Sequence, residues 1–175
     1  NTPEREAVGH MLQMQDSIDV IIPRGGKSLI ERISNDSRIP VIKHLDGVCH
    51  VYIDDHADPQ KAVDIAVNAK TRRYGVCNAL ETLLVANAVA PSVLPHIVEQ
   101  MNVLGVELRG CERCRELDGK NINAAVEDDW YTEYLATILS IRIVHGLEQA
   151  IEHINHSGSQ HTAAIVRENY GHPRT

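Results

Sequence analysis

The longest β-like run in this sequence is Ile138-Leu139-Ser140-Ile141-Arg142-Ile143-Val144, whose β-branched and mostly apolar residues predict a strand. After it, Leu147, Ile151 and Ile154 recur at helical spacing and mark one face of a predicted helix, which Gly158 ends. A strand followed directly by a helix is half of the repeating unit of α/β folds.

The same alternation is predicted along the rest of the chain. A first helix begins at Thr2-Pro3, where a good N-cap residue precedes proline, and Ile18–Ile22 predicts a buried strand closed by a glycine turn. The other predicted elements are helices at Ser28–Ile33, from Asp58 and at Pro91–Leu104, and strands at Val41–Ile42, Cys49–Ile53, Thr82–Val85, Val106–Leu108 and Thr162–Val166. This order predicts an α/β fold with a largely parallel sheet flanked by helices. Gly110–Ala125 has little periodicity and is predicted to be a surface excursion.

Composition favours a globular protein that acts on small molecules. The 175 residues are 43% hydrophobic and 23% charged, which suits one well-buried core. The formal net charge of -7 argues against a nucleic-acid binder, since the longest basic block is Arg72-Arg73. No apolar run approaches the length of a membrane span and no signal-peptide pattern opens the sequence, so a cytoplasmic location is expected.

One of the four cysteines lies in a segment suited to nucleophilic chemistry. Cys77 falls in a predicted connection between a helix and a strand, with Lys70, Arg72 and Arg73 just upstream. Nearby positive charge favours the thiolate, which is the reactive form of a thiol. The alternative is that Cys77 is a small apolar packing residue, as isolated cysteines often are.

A second candidate is Cys111-Glu112-Arg113-Cys114, which has the CxxC spacing of thiol-redox motifs and of half a zinc site. No second CxxC or well-spaced Cys/His pair accompanies it, so surface cysteines without a special function are predicted. A metal or thiol-redox module remains the alternative, and bound zinc or a reversible disulfide is the observation that favours it.

Neither a metal site nor a common phosphate loop is predicted. One stretch contains His44, Asp46 and His50, and another contains His153, His156 and His161. Without a carboxylate or cysteine at the spacing of a ligand set, solvated positions explain these histidines just as well. The chain contains no GxGxxG and no GxxxxGK[ST]. The turn at 23–28 is a weaker anion-binding candidate.

Longer segments carry a more specific signal. They are Ile21-Ile22-Pro23-Arg24-Gly25-Gly26, Pro40-Val41-Ile42, Gly75-Val76-Cys77-Asn78-Ala79-Leu80-Glu81-Thr82-Leu83-Leu84 and Trp130-Tyr131-Thr132-Glu133-Tyr134-Leu135. In this order and at these separations the sequence resembles the gamma-glutamyl phosphate reductases, a family of the aldehyde dehydrogenase superfamily. The resemblance extends from Arg5 to Tyr170.

The resemblance implies an aldehyde-dehydrogenase-like catalytic domain that uses NADPH to reduce L-glutamyl 5-phosphate to L-glutamate 5-semialdehyde in proline biosynthesis. By resemblance, Cys77 attacks the acyl phosphate, phosphate leaves, and hydride resolves the thioester, while the Cys77 backbone N–H helps to hold the oxyanion. Glu133 corresponds to a glutamate that binds the nicotinamide ribose, and Gly25 lies in the turn beside the nicotinamide. The candidate residues for contact with the anionic substrate are Arg24, Arg72, Arg73 and Asn78.

Two departures from the superfamily pattern bear on the chemistry. Hydrolytic members have a glutamate base in the stretch that here is Ile42-Lys43-His44-Leu45-Asp46-Gly47, and this chain has none. Acyl exchange with phosphate does not need an activated water, so this departure suits a reductase of acyl phosphates. The chain is also short for the family, which suggests a fragment: residues 1–46 as the tail of the NADP-binding, Rossmann-type domain and residues 47–175 as the thiol-bearing catalytic domain.

A fragment of this kind is expected not to turn over by itself, and the full-length protein is expected to form a homo-oligomer. Two other functions stay open at this point. One is another acylating semialdehyde dehydrogenase with the same thioester chemistry. The other is a non-catalytic α/β module for binding or assembly, which an unreactive Cys77 favours.

Overall fold

The structure, a computed structural model, describes residues 5–43 and 46–169. It divides the chain into two compact units, Asn1–Asp46 and Gly47–Thr175. The larger unit contains all six strands of the described sheet.

The first unit contains two helices, α1 at Arg5–Met11 and α2 at Lys27–Asp36. The prediction of a buried strand at Ile18–Ile22 is wrong, because the only pairing there is a parallel bridge from Ile21 to Val41. Ile22 is 60% exposed. A single bridge leaves most backbone groups of these segments without strand partners, so apolar β-branched residues alone do not make a buried strand.

The second unit is a parallel α/β sheet, as predicted. The strands are β1 (Cys49–Ile53), β2 (Leu80–Ala86), β3 (Glu107–Gly110), β4 (Asn123–Ala124), β5 (Ile138–Val144) and β6 (Ala163–Val166), and the helices are α3 (Pro59–Thr71), α4 (Ala90–Val103), α5 (Glu112–Leu117) and α6 (Leu147–Ser157). The strand order is β4-β3-β5-β2-β1-β6, and every pair is parallel.

The core is organised around β2. All seven of its residues are buried, which is typical of a parallel strand covered on both faces. The preceding helix α3 starts as predicted: the side chain of Asp58 accepts a hydrogen bond from the backbone N–H of Lys61 at 2.8 Å, and Pro59 occupies the first turn. Helix α4 then buries Val93, Leu94, Ile97, Val98 and Met101 in the same core.

Helix α6 packs against the core through part of the predicted apolar face, since Leu147 and Ile154 are partly buried there. Its buried residues are Ala150, His153 and Ser157, whereas Ile151 is 45% exposed. Gly158 does end the helix, with its N–H donating to the carbonyl of Ile154 at 2.8 Å. His153 packs edge-on against the rings of His50 and Trp130.

The prediction of a surface excursion at Gly110–Ala125 is also wrong. This stretch forms α5 and the edge strand β4, which pairs with β3. Cys114 is fully buried and Ile122 is nearly so. The sequence pattern was weak because only Cys114 in the short helix α5 and Ile122 just before β4 are buried, and two residues show no periodicity.

None of the helices formed by residues 5–43 and 46–169 combines the length and the apolar character that crossing a bilayer requires.

Helix α4 offers a matched test of the core. We expect Ile97→Ala to lower the free energy of unfolding by about 2–5 kcal/mol, because Ile97 has no exposed surface and its removal leaves a cavity. Val103→Ala is the control, since Val103 lies on the same helix and is 83% exposed. Urea unfolding curves measure both, and equal losses in the two variants would contradict the assigned packing.

Candidate active site

Cys77 lies on the turn that leads from α3 into β2, at the amino edge of the sheet, and its side chain is exposed. The alternative of a buried apolar packing residue is therefore wrong. The turn is held by a hydrogen bond from the N–H of Ala79 to the carbonyl of Val76 at 3.0 Å. Asn78, a suspected substrate contact, is exposed beside the thiol.

The backbone of Cys77 is tightly packed against the chain that leads into β1. The thiol of Cys49 donates to the carbonyl oxygen of Cys77 at 3.1 Å. A Cβ added to Gly47 would lie 2.1 Å from that oxygen and 2.7 Å from Oε1 of Glu133. Only a glycine fits between these two oxygens, so Glu133 and the Cys77 backbone share one small region at the amino edge.

Cys49 itself is buried, with 2% of its surface exposed. Burial raises its pKa, and the nearby acidic groups of Cys77, Glu81 and Glu133 raise that pKa further. Cys49 therefore stays a neutral thiol that donates to the Cys77 carbonyl, which is a positioning role.

The three cations upstream of Cys77 do not act alike. Lys70 has no exposed side-chain surface, and its Nζ lies 2.6 Å from Oε2 of Glu81, so it does not face Cys77 as an unpaired cation. Arg72 and Arg73 are exposed. Of the three cations upstream of Cys77, two are therefore exposed and one is buried in an ion pair.

The Lys70–Glu81 pair connects three parts of the site. Lys70 lies in the last turn of α3, and Glu81 is the second residue of β2. The other carboxylate oxygen of Glu81 accepts a hydrogen bond from the backbone N–H of Leu135 at 3.1 Å. Burial lowers the pKa of Lys70 and raises that of Glu81, and their mutual hydrogen bond offsets part of both shifts. Leu135 has a positive φ of 51°, so the contact holds an uncommon backbone conformation two residues after Glu133.

A second polar network holds the segment 125–137, which connects β4 to β5 and contains Glu133. The hydroxyl of Tyr134 lies 2.7 Å from Oδ1 of Asp129 and 2.7 Å from Oγ of Ser140 on β5, and Nη1 of Arg109 donates to the same Asp129 oxygen at 2.8 Å. Burial alone would raise the pKa of Asp129, but the hydrogen bonds from Tyr134, from the N–H of Val126 and from Arg109 outweigh it and lower the pKa. Asp129 is therefore a buried structural anion.

Trp130, in the same segment 125–137, packs in a cluster of buried rings. Its ring meets that of His153 edge-on at 5.6 Å, and the guanidinium of Arg142 lies 5.3 Å from the ring centroid. His50 meets His153 edge-on at 5.5 Å. Burial lowers the pKa of both histidines to about 4, so both imidazoles are neutral near pH 7.

The histidines that the sequence groups into two stretches have different surroundings in the structure. His153 is buried, whereas His156 is exposed and meets the ring of Tyr131 at 5.8 Å. His161 lies with its Nδ1 2.8 Å from the hydroxyl of Thr162. His44 lies outside the described residues.

Within the described ranges, the closest group of potential metal ligands is Asp54, Asp55 and His56, at the carboxyl end of β1. Asp54 is already bound by the hydroxyl of Tyr52 at 3.2 Å and by Nε of Arg167 at 3.1 Å. Its charge is therefore compensated without a metal ion.

Two candidate residues belong to the first unit. Arg24 is exposed. Gly25 has φ 157°, and a Cβ there would lie 2.8 Å from the Leu29 side chain, so the turn before α2 requires a glycine.

Several residues that shape the site were not singled out from the sequence. They are Gly47, Cys49, Lys70 as an ion-pair partner, Glu81, Arg109, Asp129 and Tyr134. The available signal was Glu81 within the buried β2 segment, because a charged residue in such a strand requires a partner.

Gly47→Ala tests the close packing behind Cys77. We expect it to lower the free energy of unfolding by about 1–3 kcal/mol, because the added carbon would overlap the Cys77 carbonyl and Glu133. Displacing that carbonyl removes the partner of the Cys49 thiol, so Cys49 should react faster with iodoacetamide. Gly75→Ala is the control, since a Cβ there meets nothing within 4 Å; identical behaviour of the two variants would refute the assigned packing.

The buried ion pair is tested by a double-mutant cycle. We expect Glu81→Leu or Lys70→Met alone to cost about 3–5 kcal/mol, because each leaves one buried charge without its partner. The double variant should recover much of that loss. Fluorescence of Trp130, the single tryptophan, follows unfolding in urea. Strictly additive losses would show that the two side chains do not interact.

Comparison with known proteins agrees with the resemblance inferred from the quoted segments. A model of the aldehyde dehydrogenase family matches residues 2–111. Gamma-glutamyl phosphate reductase of Thermotoga maritima is 42% identical, with a TM-score of 0.90, over 95% of this chain and 40% of that one. The Saccharomyces cerevisiae gamma-glutamyl phosphate reductase is 30% identical, with a TM-score of 0.54, over 93% and 41%.

A more distant structure shows the fold alone. The NADP-dependent glyceraldehyde-3-phosphate dehydrogenase of Bacillus halodurans, solved with NADP, is 20% identical with a TM-score of 0.68, over 92% of this chain and 42% of that one. The chain spans about two fifths of the length of these relatives. Because the family model matches more than half of its residues, this chain belongs to the aldehyde dehydrogenase family.

Proposed function

We propose that this chain is the thiol-bearing part of an NADPH-dependent reductase that converts L-glutamyl 5-phosphate to L-glutamate 5-semialdehyde and phosphate, in proline biosynthesis. The observation that carries the proposal is the exposed Cys77 thiol at the amino edge of the sheet, in a chain 42% identical to a gamma-glutamyl phosphate reductase. Gly47 packs against the Cys77 carbonyl and the carboxylate of Glu133. We propose residues 1–46 as the tail of the NADP-binding domain and residues 47–175 as the catalytic domain.

In the proposed reaction Cys77 is the nucleophile. Its sulfur attacks the acyl carbon of the substrate, the backbone N–H of Cys77 stabilises the developing oxyanion, and phosphate leaves to give a thioester. Exposed Arg72, Arg73 and Asn78 lie on the same turn or just before it, where they are suited to bind an anionic substrate. Arg24, exposed in the first unit, is proposed as a further anion contact.

The residues present are suited to a nicotinamide cofactor. Glu133 is half-buried, and its Oε1 lies beside the Cys77 backbone, where a carboxylate can accept hydrogen bonds from ribose hydroxyls. Gly25 keeps its turn free of a side chain, which allows close approach of a flat ring. NADPH, when bound, supplies the hydride that releases the aldehyde from the thioester.

The proposed reaction does not use an activated water. The superfamily base position falls in the stretch 42–47, whose carboxylate Asp46 is bound to Nζ of Lys27 at 3.0 Å. Because this stretch contains no glutamate base, hydrolysis of the thioester is disfavoured and the acyl group is preserved for reduction. We further propose a cytoplasmic homo-oligomer for the full-length protein.

The first half of the reaction can be tested without cofactor. Acyl transfer from an acyl phosphate to Cys77 needs no hydride, so the chain incubated with L-glutamyl 5-phosphate, generated in place by glutamate kinase and ATP, should gain one glutamyl group. Mass spectrometry of the peptide that contains Cys77 detects the adduct, and released phosphate is measured in parallel.

Cys77→Ser should abolish the adduct, whereas Cys111→Ser should retain it. Acetyl phosphate serves as the second substrate, and preferential acylation by it would favour another acylating dehydrogenase. An unmodified Cys77 in the presence of glutamyl phosphate would contradict the proposal and favour a non-catalytic module.

A further inference from the structure

Cys111 and Cys114 form a close pair of thiols at the carboxyl edge of the sheet. Their sulfur atoms are 3.5 Å apart, with Cys111 directly after β3 and Cys114 inside α5. This arrangement contradicts the prediction of unremarkable surface cysteines, since Cys111 is half-buried and Cys114 is fully buried. The pair lies at the opposite edge of the sheet from Cys77.

The surrounding backbone holds both sulfur atoms in place. The N–H of Ile143 on β5 donates to Sγ of Cys111 at 3.5 Å, and Sγ of Cys114 lies 3.4 Å from the carbonyl oxygen of Ile141. A Cβ on Gly110 would lie 2.8 Å from Cβ of Cys114, so a glycine is required for Cys114 to pack here.

The two thiols differ in their chemistry. The hydrogen bond from Cys114 and the Ile143 N–H lower the pKa of Cys111 to about 5, although burial opposes this shift. Cys114 has a raised pKa, because it donates that hydrogen bond and is buried. A reactive outer thiolate next to a protonated inner thiol is the division of roles found in dithiols that exchange with disulfides.

The reactive sulfur is also reachable. Cys111 lines a cleft of about 490 Å³, within the range of small-molecule sites, together with Arg113, Arg142 and His145 among others. The lining contains two guanidinium groups, of Arg113 and Arg142, and two carboxylates, of Glu112 and Glu116, with Arg113 paired to Glu116 at 3.3 Å. Both signs of charge beside the sulfur suit a reactant that carries amine and carboxylate groups.

We propose that Cys111 and Cys114 form a redox-active dithiol that is oxidised to an internal disulfide by a small disulfide bearing amine and carboxylate groups, with Cys111 as the attacking thiol and Cys114 as the resolving thiol. Closing the bond requires the sulfurs to approach by about 1.5 Å, to the usual length near ~2.0 Å. The loop closed is only four residues long, so such a bond adds little stability, which favours a redox role over a structural one.

The exchange is balanced in two steps. The Cys111 thiolate attacks one sulfur of the reactant disulfide, forms a mixed disulfide and releases the other sulfur as a thiolate, which takes the proton of Cys114. The Cys114 thiolate then attacks Sγ of Cys111 and releases the second thiolate. Two cysteine thiols are oxidised, and one reactant disulfide is reduced to two thiols.

The experiment uses oxidised glutathione and the whole chain in a Cys77→Ser background, which removes the exposed competing thiol. After incubation, remaining thiols are blocked with N-ethylmaleimide and the protein is digested with trypsin. Trypsin cuts after Arg109, Arg113 and Arg115, so an internal disulfide yields peptides 110–113 and 114–115 joined by sulfur. We expect this linked pair, its disappearance after dithiothreitol, and an alkylated Cys49.

Single variants separate the two roles. Cys114→Ser should stop at glutathione bound to Cys111, because the resolving thiol is missing. Cys111→Ser should take up glutathione at least about tenfold more slowly, because Cys114 is buried and protonated.

Three outcomes would overturn the proposal: both thiols remaining open to maleimide after oxidation, glutathione persisting on Cys111 while Cys114 is intact, or stoichiometric zinc held by the pair in elemental analysis. None of these outcomes bears on acyl transfer to Cys77, so the two proposals fail independently.

Discussion

The arrangement around Cys77 depends on the buried ion pair between Lys70 and Glu81. Its two side chains have at most 1% of their surface exposed, and their charged atoms are 2.6 Å apart. Two charges removed from water are stabilised only when each has its partner, so this pair fixes the end of α3 against the start of β2. The turn that carries Cys77 runs between these two points. The other carboxylate oxygen of Glu81 accepts a hydrogen bond from the backbone N–H of Leu135, two residues after Glu133. One carboxylate therefore holds both the turn that carries Cys77 and the segment that carries Glu133.

The two edges of the sheet have separate chemistry. At the amino edge, Cys49 donates to the Cys77 backbone and Gly47 allows Glu133 to approach it. At the carboxyl edge, where open α/β sheets usually bind ligands, the dithiol of Cys111 and Cys114 borders a cleft. Each thiol is defined by its surroundings: Cys77 is exposed, Cys49 is buried and donates, and Cys111 is bound by two donors. One sequence thus contains thiols in distinct environments because the backbone around each differs.

Much of the architecture could be predicted from sequence. β1 and β5 were predicted with their observed bounds, because β-branched runs between turn residues specify buried parallel strands. The family was recognised from segments around Cys77 and Trp130. Ile18–Ile22 was mistaken for a buried strand because its apolar pattern contains no information about whether neighbouring strands pair with it. The burial of His153 on α6 was missed because the inward face was assigned from apolar residues alone.

The sequence pattern does not identify the partners in the polar contacts of the site. Nothing in the spacing of Lys70 and Glu81 indicates that they meet, since they lie on a helix and a strand joined by a turn. The CxxC pair was assigned to the surface because α5 is too short to show periodicity, and Gly110, which makes room for Cys114, has no sequence signature of that role.

The most direct test of the ion pair's role is amide hydrogen exchange at Leu135 in the Lys70→Met/Glu81→Leu double variant. We expect Leu135 to lose its protection because its acceptor is removed, while Leu84 in the middle of β2 keeps the protection of an intact sheet. Unchanged protection at Leu135 would contradict the account, because the loop that carries Glu133 would then be held by something other than Glu81.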